Sequence, residues 1–241
     1  MKDNTTRIFL WSGPRNISTT LMYSFAQRPD TTVFDEPLYA YYLTKTRAKE
    51  YHPDADLVMN QMECSGEKVI KQMLHENPSE VVFFKNMTHH LCTLDKSFMS
   101  KGVNVILTRD PKEMLPSFHK VIKNPAMKDV GYQAHVDLVR HFESNSIPFI
   151  ILDSKEILLN PEKALKKICA KANIPFYTEM LHWIPGTRPE DGIWARHWYK
   201  NIHSSSGFNK YTKKTALFPE ELKNLLNDCE TCYKLLISKI D

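Results

Sequence analysis

The sequence predicts a three-layer α/β fold, with a central parallel sheet of about five strands flanked by helices. Short apolar runs rich in β-branched and aromatic residues recur along the chain, and segments with helical periodicity separate them. This alternation is typical of parallel sheets with both faces covered. A length of 241 residues fits one such unit, so we expect residues 1–241 to form a single domain.

The expected strands are the continuous apolar runs. They lie at residues 8–11 (IFLW), 32–34 (TVF), 81–84 (VVFF), 103–107 (VNVIL) and 149–152 (FIIL). Continuous rather than alternating apolar positions favour strands that are buried on both faces.

Helices are expected between and after these runs, at residues 16–27, 56–76, 112–123, 128–145, 161–172 and 219–240. The last of them carries one apolar stripe, so it should dock on the domain. Residues 184–214 combine glycines, prolines, two tryptophans and a serine run. They are expected to form a long ordered loop, which in a compact domain usually carries function.

Composition narrows the function classes. The net charge of +4 is too mild to indicate nucleic-acid binding by itself. The polar start of the chain contains no apolar signal core, and no apolar run approaches the ~20 residues that a membrane span needs. We therefore expect a cytoplasmic protein with neither a nucleic-acid nor a membrane partner.

The five cysteines do not predict a disulfide framework, since their number is odd. Cys229 and Cys232 form a CxxC within a helical pattern, but no second ligand pair lies nearby in the sequence. Thiols on a helix face are therefore expected rather than a zinc or redox site, and no metal site is predicted.

The first expected strand runs directly into the segment SGPRNISTT at residues 12–20. A loop between a strand and a helix N-terminus directs free N–H groups and a positive dipole outward, which suits a phosphate. Ser18, Thr19 and Thr20 add hydroxyl donors, and Arg15 adds a cation. A helix start capped by its own hydroxyl side chains is the alternative. The lysine and second glycine of a nucleotide-kinase loop are missing, so hydrolysis of ATP or GTP is less favoured.

A second segment, TRDPKEMLPSF at residues 108–118, follows the fourth expected strand. Arg109 stands at the carboxyl end of that strand, and Ser117 lies about two turns into the helix that Pro111 opens. The alternative is a structural Arg-Asp pair that caps a helix.

Together the two segments resemble those of P-loop sulfotransferases, and weaker matching blocks extend over about residues 7–176. The resemblance implies a P-loop NTPase-like fold and a donor, 3′-phosphoadenosine 5′-phosphosulfate (PAPS). The first segment would hold the 5′-phosphosulfate, and Arg109 with Ser117 would hold the 3′-phosphate. The implied residues of the first segment are Gly13, Pro14, Arg15, Asn16, Ile17, Ser18, Thr19 and Thr20. The family usually has glycine where this chain has Ile17, so we expect the turn here to use ordinary helical dihedrals.

The resemblance also implies that a glycine-containing basic loop returns to the 3′-phosphate. The matching segment is HSSSGFNK at residues 203–210, with Ser206, Gly207 and Lys210 as the implied contacts. A flexible surface loop is the alternative.

The implied reaction moves a sulfuryl group in line to a hydroxyl or amine of a small-molecule acceptor and leaves adenosine 3′,5′-bisphosphate (PAP). Positioning and charge stabilisation would supply most of the rate, and Arg15 is the candidate cation at the leaving phosphate. The acceptor needs a general base. Glu36 follows the second expected strand in a Glu-Pro-Leu-aromatic stretch similar to one in carbohydrate sulfotransferases. His89, followed by His90, is similar in position to the Lys-Thr-His of cytosolic sulfotransferases.

Glu36 is the favoured base and His89 the second candidate. Glu36 could instead be a helix-entry acid before Pro37, and the two histidines a partly exposed pair in a turn. Several aromatic residues could form an acceptor wall or simply belong to the core, namely Tyr39, Tyr41, Tyr42, Trp194 and Trp198, with His197. A small-molecule or nucleotide kinase and a non-catalytic nucleotide-binding module remain the alternative functions. The sequence does not identify the acceptor or the oligomeric state.

Overall fold

The five expected strands pair in one parallel sheet in the computed structural model, which describes residues 5–213 and 217–240. The strands are β1 (Thr6–Ser12), β2 (Thr31–Asp35), β3 (Val81–Met87), β4 (Val103–Thr108) and β5 (Phe149–Asp153). Their order in the sheet is β2-β3-β1-β4-β5, and every neighbouring pair is parallel. The predicted fold class is confirmed. Because β1 lies at the centre, the chain builds first to one side of it and then to the other.

The α-helices of the described chain cover both faces of this sheet. They are α1 (Ser18–Phe25), α2 (Tyr39–Lys45), α3 (Ala55–Gln61), α4 (Gly66–His75), α5 (Pro111–His119), α6 (Met127–Val130), α7 (Tyr132–Ser144), α8 (Ser154–Leu159), α9 (Pro161–Lys171), α10 (Ala195–Trp198), α11 (Lys200–His203) and α12 (Lys223–Ile237).

The two faces of β1 explain the layering. Phe9 and Trp11 point into a core shared with α5, α7 and α12. Ile8 and Leu10 point into the opposite core, shared with α1 and α9. All four side chains are fully buried, and burying each such side chain typically stabilises a fold by about 1.5–3 kcal/mol.

Two helices expected to be continuous are interrupted. The one expected at residues 56–76 is α3 and α4, because the chain becomes extended at Met62 and Ser65 then caps the start of α4. The one expected at residues 128–145 is α6 and α7, separated by Gly131 in a left-handed conformation at φ 80°. A Cβ atom at Gly131 would lie 3.5 Å from Cα of Gly13, so this break lets the chain pass close to the loop after β1.

The segment at residues 184–214, expected to be a loop, contains the short helices α10 and α11, and its last residue lies outside the described chain. The expected docking of the last helix is confirmed, since α12 buries one face that includes Leu226 and Leu236. Cys229 and Cys232 lie on that same face as free thiols, as the helical pattern predicted. Across residues 5–213 and 217–240, the structure contains no helix with the length and apolar character of a membrane-spanning segment.

Candidate active site

A cavity of about 340 Å³ opens at the carboxyl edge of the sheet. Its walls come from the chain that follows β1, β2, β3 and β4, and from the segment that carries α10 and α11. In open parallel sheets, ligands bind at this edge, where the strand order reverses. Here that point lies beside β1, so the loop after β1 occupies the expected place.

The loop after β1 is a tight turn fixed by close contacts. A Cβ atom on Gly13 would lie 2.8 Å from the carbonyl oxygen of Val130, so no larger residue fits there. Asn16 donates its side-chain amide to the carbonyl of Leu107 at 3.1 Å, which ties the loop to the end of β4. Arg15 and Ile17 adopt left-handed conformations, with φ 59° and 63°. Such alternation turns successive N–H groups inward and builds an anion-binding concavity.

Ile17 is where the sequence prediction was wrong. The expected helical dihedrals are absent: φ is 63° and ψ is 20° at this position, which precedes the first turn of α1. The turn needs a left-handed residue here whichever side chain stands in it. Such a conformation is strained for a β-branched residue. No side chain caps α1, and the first residues of this helix, Ser18 and Thr19, line the cavity beside the turn.

The strain at Ile17 gives a stability prediction. Ile17→Ala and Ile17→Gly remove almost the same packing, but only glycine accepts a positive φ without strain. We expect the Ile17→Gly variant to be more stable than the Ile17→Ala variant by about 1 kcal/mol in urea unfolding. The exposed helix position Ala170 provides the control, because Ala170→Gly should destabilise by about 1 kcal/mol. A more stable Ile17→Ala variant would contradict the strained turn.

Arg15, Ser117 and Arg109 meet beside this loop. Arg15 donates from Nε to Oγ of Ser117 at 3.1 Å, and Arg109 donates from Nη1 to the carbonyl of Arg15 at 2.9 Å. The structure thus brings together the two segments that the sequence singled out separately. All three residues line the cavity, as do Pro14, Asn16, Ile17, Ser18, Thr19 and Thr20. Gly13 lies just behind the loop and fixes its path.

The charges of this end of the cavity fit a polyanion. Burial, together with the nearby charge of Arg109, lowers the pKa of Arg15. Nε of Arg109 is buried and has no hydrogen-bond partner among the described residues. The two guanidinium groups repel each other, and Arg109 has an unused N–H donor. An anion that binds between them would reduce the repulsion and accept from this donor.

Arg109 also has a partner that the sequence analysis did not identify. Its Nη2 atom lies 3.1 Å from Oε2 of Glu113, one turn into α5, and Tyr211 donates to Oε1 of the same carboxylate at 2.5 Å. The i, i+4 spacing of Arg109 and Glu113 was a signal for this pair. Glu113 therefore holds part of the Arg109 guanidinium in place.

Three other implied donor contacts do not lie at the cavity. Ser206 accepts from the backbone of Trp183 at 3.1 Å, and Gly207 forms an antiparallel bridge with His182. Lys210 is exposed. The bridge holds this part of the chain against residues 181–183, and Asn209 is the residue of the 203–210 segment that lines the cavity. A role for Ser206, Gly207 and Lys210 in donor binding stays a prediction.

A buried group of charges occupies the other end of the cavity, where β2 and β3 end. Lys85 places its Nζ atom 2.7 Å from Asp35 and 2.6 Å from Glu36, and it also donates to the hydroxyl of Tyr199. Tyr199 in turn donates to Asp35. Burial alone would lower the pKa of Lys85, but the two carboxylates raise it well above its ordinary value. We call these four residues the lysine cluster.

Glu36 belongs to this cluster and also lines the cavity. Its backbone has a positive φ of 47°, a strained conformation of the kind found at functional sites. Burial raises its pKa, although the charge of Lys85 acts in the opposite direction. Glu36 is therefore more than a helix-entry acid before Pro37.

His89 and His90 lie in a short 3₁₀ turn, Thr88–Leu91, as the alternative interpretation expected, but only His89 is partly exposed. His90 is buried and stacks against both Tyr39 and Tyr42, with ring centroids 4.9 and 4.6 Å away. His89 lines the cavity, and burial, with smaller contributions from His52 and His135, lowers its pKa to about 3. At neutral pH His89 is therefore uncharged and weakly basic.

The aromatic residues divide between the cavity wall and other places: Tyr41 and Tyr42 belong to the core, and His197 is exposed beside Asp54. Tyr39, Trp194 and Trp198 line the cavity, whereas Tyr41, Tyr42 and His197 do not. The wall is held by two backbone contacts: Gly192 donates its N–H to Asp35 at 3.0 Å, and Arg15 donates to the carbonyl of Trp198 at 3.2 Å.

The sequence analysis assigned only Glu36 of the lysine cluster to the site and missed Asp35, Lys85 and Tyr199. Lys85 had a visible signal, since it is a charged residue that continues the apolar run of β3. Tyr199 had none, because its contact with Asp35 joins residues 164 positions apart.

Comparisons with known proteins agree with this geometry. The sequence model of a family described as "Sulfotransferase domain" matches residues 6–238. Two proteins of Arabidopsis thaliana, "Branched-chain-amino-acid aminotransferase-like protein 1" and "protein 2", are 39% and 38% identical over 97% and 95% of this chain. The matches cover 42% and 41% of those relatives, so the chain spans less than half of their length.

Solved structures share the fold at low sequence identity. A sulfotransferase from Alicyclobacillus acidocaldarius superposes with a TM-score of 0.56 at 10% identity, covering 97% of this chain and 96% of that one. Mouse sulfotransferase SULT7A1 complexed with PAP superposes with a TM-score of 0.55 at 14% identity, covering 98% of this chain and 86% of that one. The sequence match over residues 6–238 and the shared fold lead to one conclusion: this chain belongs to the sulfotransferase domain family.

Proposed function

We propose that this chain transfers a sulfuryl group from PAPS to a hydroxyl or amine of a small molecule and releases PAP. The observation that carries the proposal is the meeting of Arg15, Ser117 and Arg109 beside the loop after β1. Two separated phosphates need two separated sets of donors, and the cavity has them at the start of α1 and at the end of β4. The mouse relative whose structure contains PAP supports the same donor class.

The donor end of the cavity acts by position and charge. The first N–H groups of α1, with Ser18, Thr19 and Thr20, would hold the phosphosulfate, and Arg109 with Ser117 would hold the 3′-phosphate. The bound donor supplies the activated sulfuryl group. Arg15 contacts Ser117 through its guanidinium and would stabilise negative charge on the leaving phosphate, the largest kind of contribution in such transfers.

Glu36 is the proposed general base. It lines the cavity, its pKa is raised by burial, and Lys85 fixes one of its carboxylate oxygens at 2.6 Å. A carboxylate with a raised pKa accepts a proton more readily than an ordinary one. His89 is the second candidate, but its pKa of about 3 makes it a weaker base than a free imidazole.

The first test is donor selectivity. We expect PAP to bind in calorimetry with an affinity that EDTA does not change, because protein groups alone would hold both phosphates. ATP with Mg²⁺ should bind more weakly by at least about tenfold, since it lacks the 3′-phosphate and the loop lacks the kinase lysine. Stronger binding of ATP with Mg²⁺ than of PAP would favour the kinase instead.

Turnover separates an enzyme from a non-catalytic binding module. A radiolabelled donor, incubated with a panel of phenols, alcohols and amines, should yield labelled product that depends on the protein. A protein that binds PAP but labels none of these acceptors would support the binding module.

A further inference from the structure

The acceptor end of the cavity carries one negative charge in excess. Asp35 and Glu36 are two carboxylates that share the single ammonium group of Lys85. All three side chains are buried, with at most 11% of any one exposed, so water screens this excess charge poorly. A buried group of unequal charge favours a ligand of the opposite sign.

Lys85 has no donor left for an acceptor molecule. An ammonium group has three N–H donors, and those of Lys85 are directed to Asp35, Glu36 and Tyr199. Asp35 is equally occupied, since it accepts from Lys85, Tyr199 and the N–H of Gly192. The cluster therefore offers an incoming molecule no positive group.

Glu36 keeps one oxygen for the cavity. Its Oε1 atom accepts from Lys85, while Oε2 makes no hydrogen bond to the described residues and lies 4.0 Å from Nδ1 of His90. The residue is only 9% exposed, and what is exposed lies in the cavity wall. Oε2 is thus an unpartnered acceptor atom on a largely buried residue of the cavity wall.

The imidazoles around Glu36 do not neutralise it. Burial lowers the pKa of His52 to about 4 and that of His89 to about 3, and burial with the neighbouring His89 lowers that of His90. All three are uncharged at neutral pH. Among the described side chains lining this end of the cavity, Lys85 is therefore the one cation, and it is already bound.

Aromatic rings line the same cavity as Glu36. Tyr39 and Trp194 line the cavity and pack edge to face, with ring centroids 5.0 Å apart and planes at 86°. Their π faces attract cations, and their bulk suits an apolar body behind a charged group.

From this geometry, and resting on the function proposed above, we infer that the acceptor is a primary amine whose ammonium group binds Oε2 of Glu36 beside the rings of Tyr39 and Trp194. The amine nitrogen is then also the atom that reacts. The ammonium group gives one proton to Glu36, and the nitrogen lone pair forms the N–S bond. As it does so, the bond from sulfur to the bridging oxygen of the donor breaks, and its electron pair leaves on the 5′-phosphate of PAP. The nitrogen loses its second proton to solvent, which leaves a sulfamate.

The test compares three probes of matched shape on protein saturated with PAP: 2-phenylethylamine, 2-phenylethanol and phenylacetate. Calorimetry should show the amine binding at least about tenfold more tightly than the alcohol, with no measurable binding of the carboxylate. In Glu36→Gln, the affinity for the amine should be within about threefold of the affinity for the alcohol, and the affinity for PAP should be unchanged. Glu80→Gln, an exposed carboxylate just before the same strand as Lys85, should keep the full preference.

The outcomes are distinct. Three results would overturn the inference: equal affinity for amine and alcohol, a preference for the amine that persists in Glu36→Gln, or binding of none of the probes. In each case, PAP binding would still support the donor site. Failure to bind PAP itself refutes the proposed function, and the inference falls with it. Unchanged PAP affinity in Glu36→Gln shows that the variant is folded.

Discussion

Replacing Glu36 by glutamine is expected to slow sulfuryl transfer by roughly 10²–10⁴-fold, the usual range for loss of a general base. Glutamine keeps the size of the side chain and an oxygen for Lys85, but it cannot accept the proton. Donor affinity should stay nearly unchanged, because Glu36 lies at the opposite end of the cavity from Arg109 and Ser117. The rate is measured in a single turnover with radiolabelled donor, since slow PAP release could hide a defect in the chemical step.

His89→Ala is the comparison for this experiment. His89 lines the same cavity but has its pKa lowered to about 3, so its loss should slow the reaction much less. The wild-type rate should also rise with pH through the pKa of Glu36, because a base acts only when deprotonated. Burial raises that pKa, so the rise should come at a higher pH than for an ordinary carboxylate. A near-normal rate for Glu36→Gln with a collapsed rate for His89→Ala would make His89 the base.

Replacing Arg109 by alanine should weaken PAP binding by about 2–4 kcal/mol, the expected loss for a charge-assisted phosphate contact inside a site. Arg109 presents a buried Nε with no partner among the described residues, beside Ser117 and Arg15. Adenosine 5′-phosphosulfate, which lacks the 3′-phosphate, should lose much less affinity. Calorimetric titration of both ligands gives the two differences directly.

Controls separate a local from a global effect of Arg109→Ala. Arg47→Ala removes an exposed arginine that also pairs with a glutamate, and it should leave both affinities unchanged. Ser117→Ala should lower the affinity for PAP more than the affinity for adenosine 5′-phosphosulfate. The loss of PAP affinity should be smaller than the loss caused by Arg109→Ala. Equal losses of affinity for the two ligands would mean that Arg109 does not bind the 3′-phosphate. It would then act by holding the loop after β1 through its hydrogen bond to the carbonyl of Arg15.

The sequence was informative where local pattern decides structure. Every strand contains one of the predicted continuous apolar runs, because a strand buried on both faces is mostly apolar. Arg109 and Ser117 could be placed at the carboxyl edge because a strand followed by an Asp-Pro helix start leaves few alternatives. Helix breaks were harder to predict. Gly131 interrupts a good helical pattern, since the approach of its backbone to Gly13 is a tertiary constraint.

The parts of the site that sequence analysis missed depend on contacts between distant segments. Lys85 donates to the hydroxyl of Tyr199, and two more strands, β4 and β5, lie between these residues in the sequence. Ile17 looked incompatible with a left-handed turn because its intrinsic preference is against it, and the surrounding contacts override that preference. Neither fact can be read from spacing or periodicity.

The lysine cluster restricts which residues at the acceptor end of the cavity can differ among related chains. Replacing Tyr199 alone would remove a hydrogen-bond partner of both Asp35 and Lys85. Each buried polar group left without a partner lowers the free energy of unfolding by about 1–3 kcal/mol. Asn201 and Ile202 line the same cavity but take no part in the cluster. Selection for a new acceptor can therefore act on these two positions one substitution at a time. The cluster itself changes only when several of its members change together.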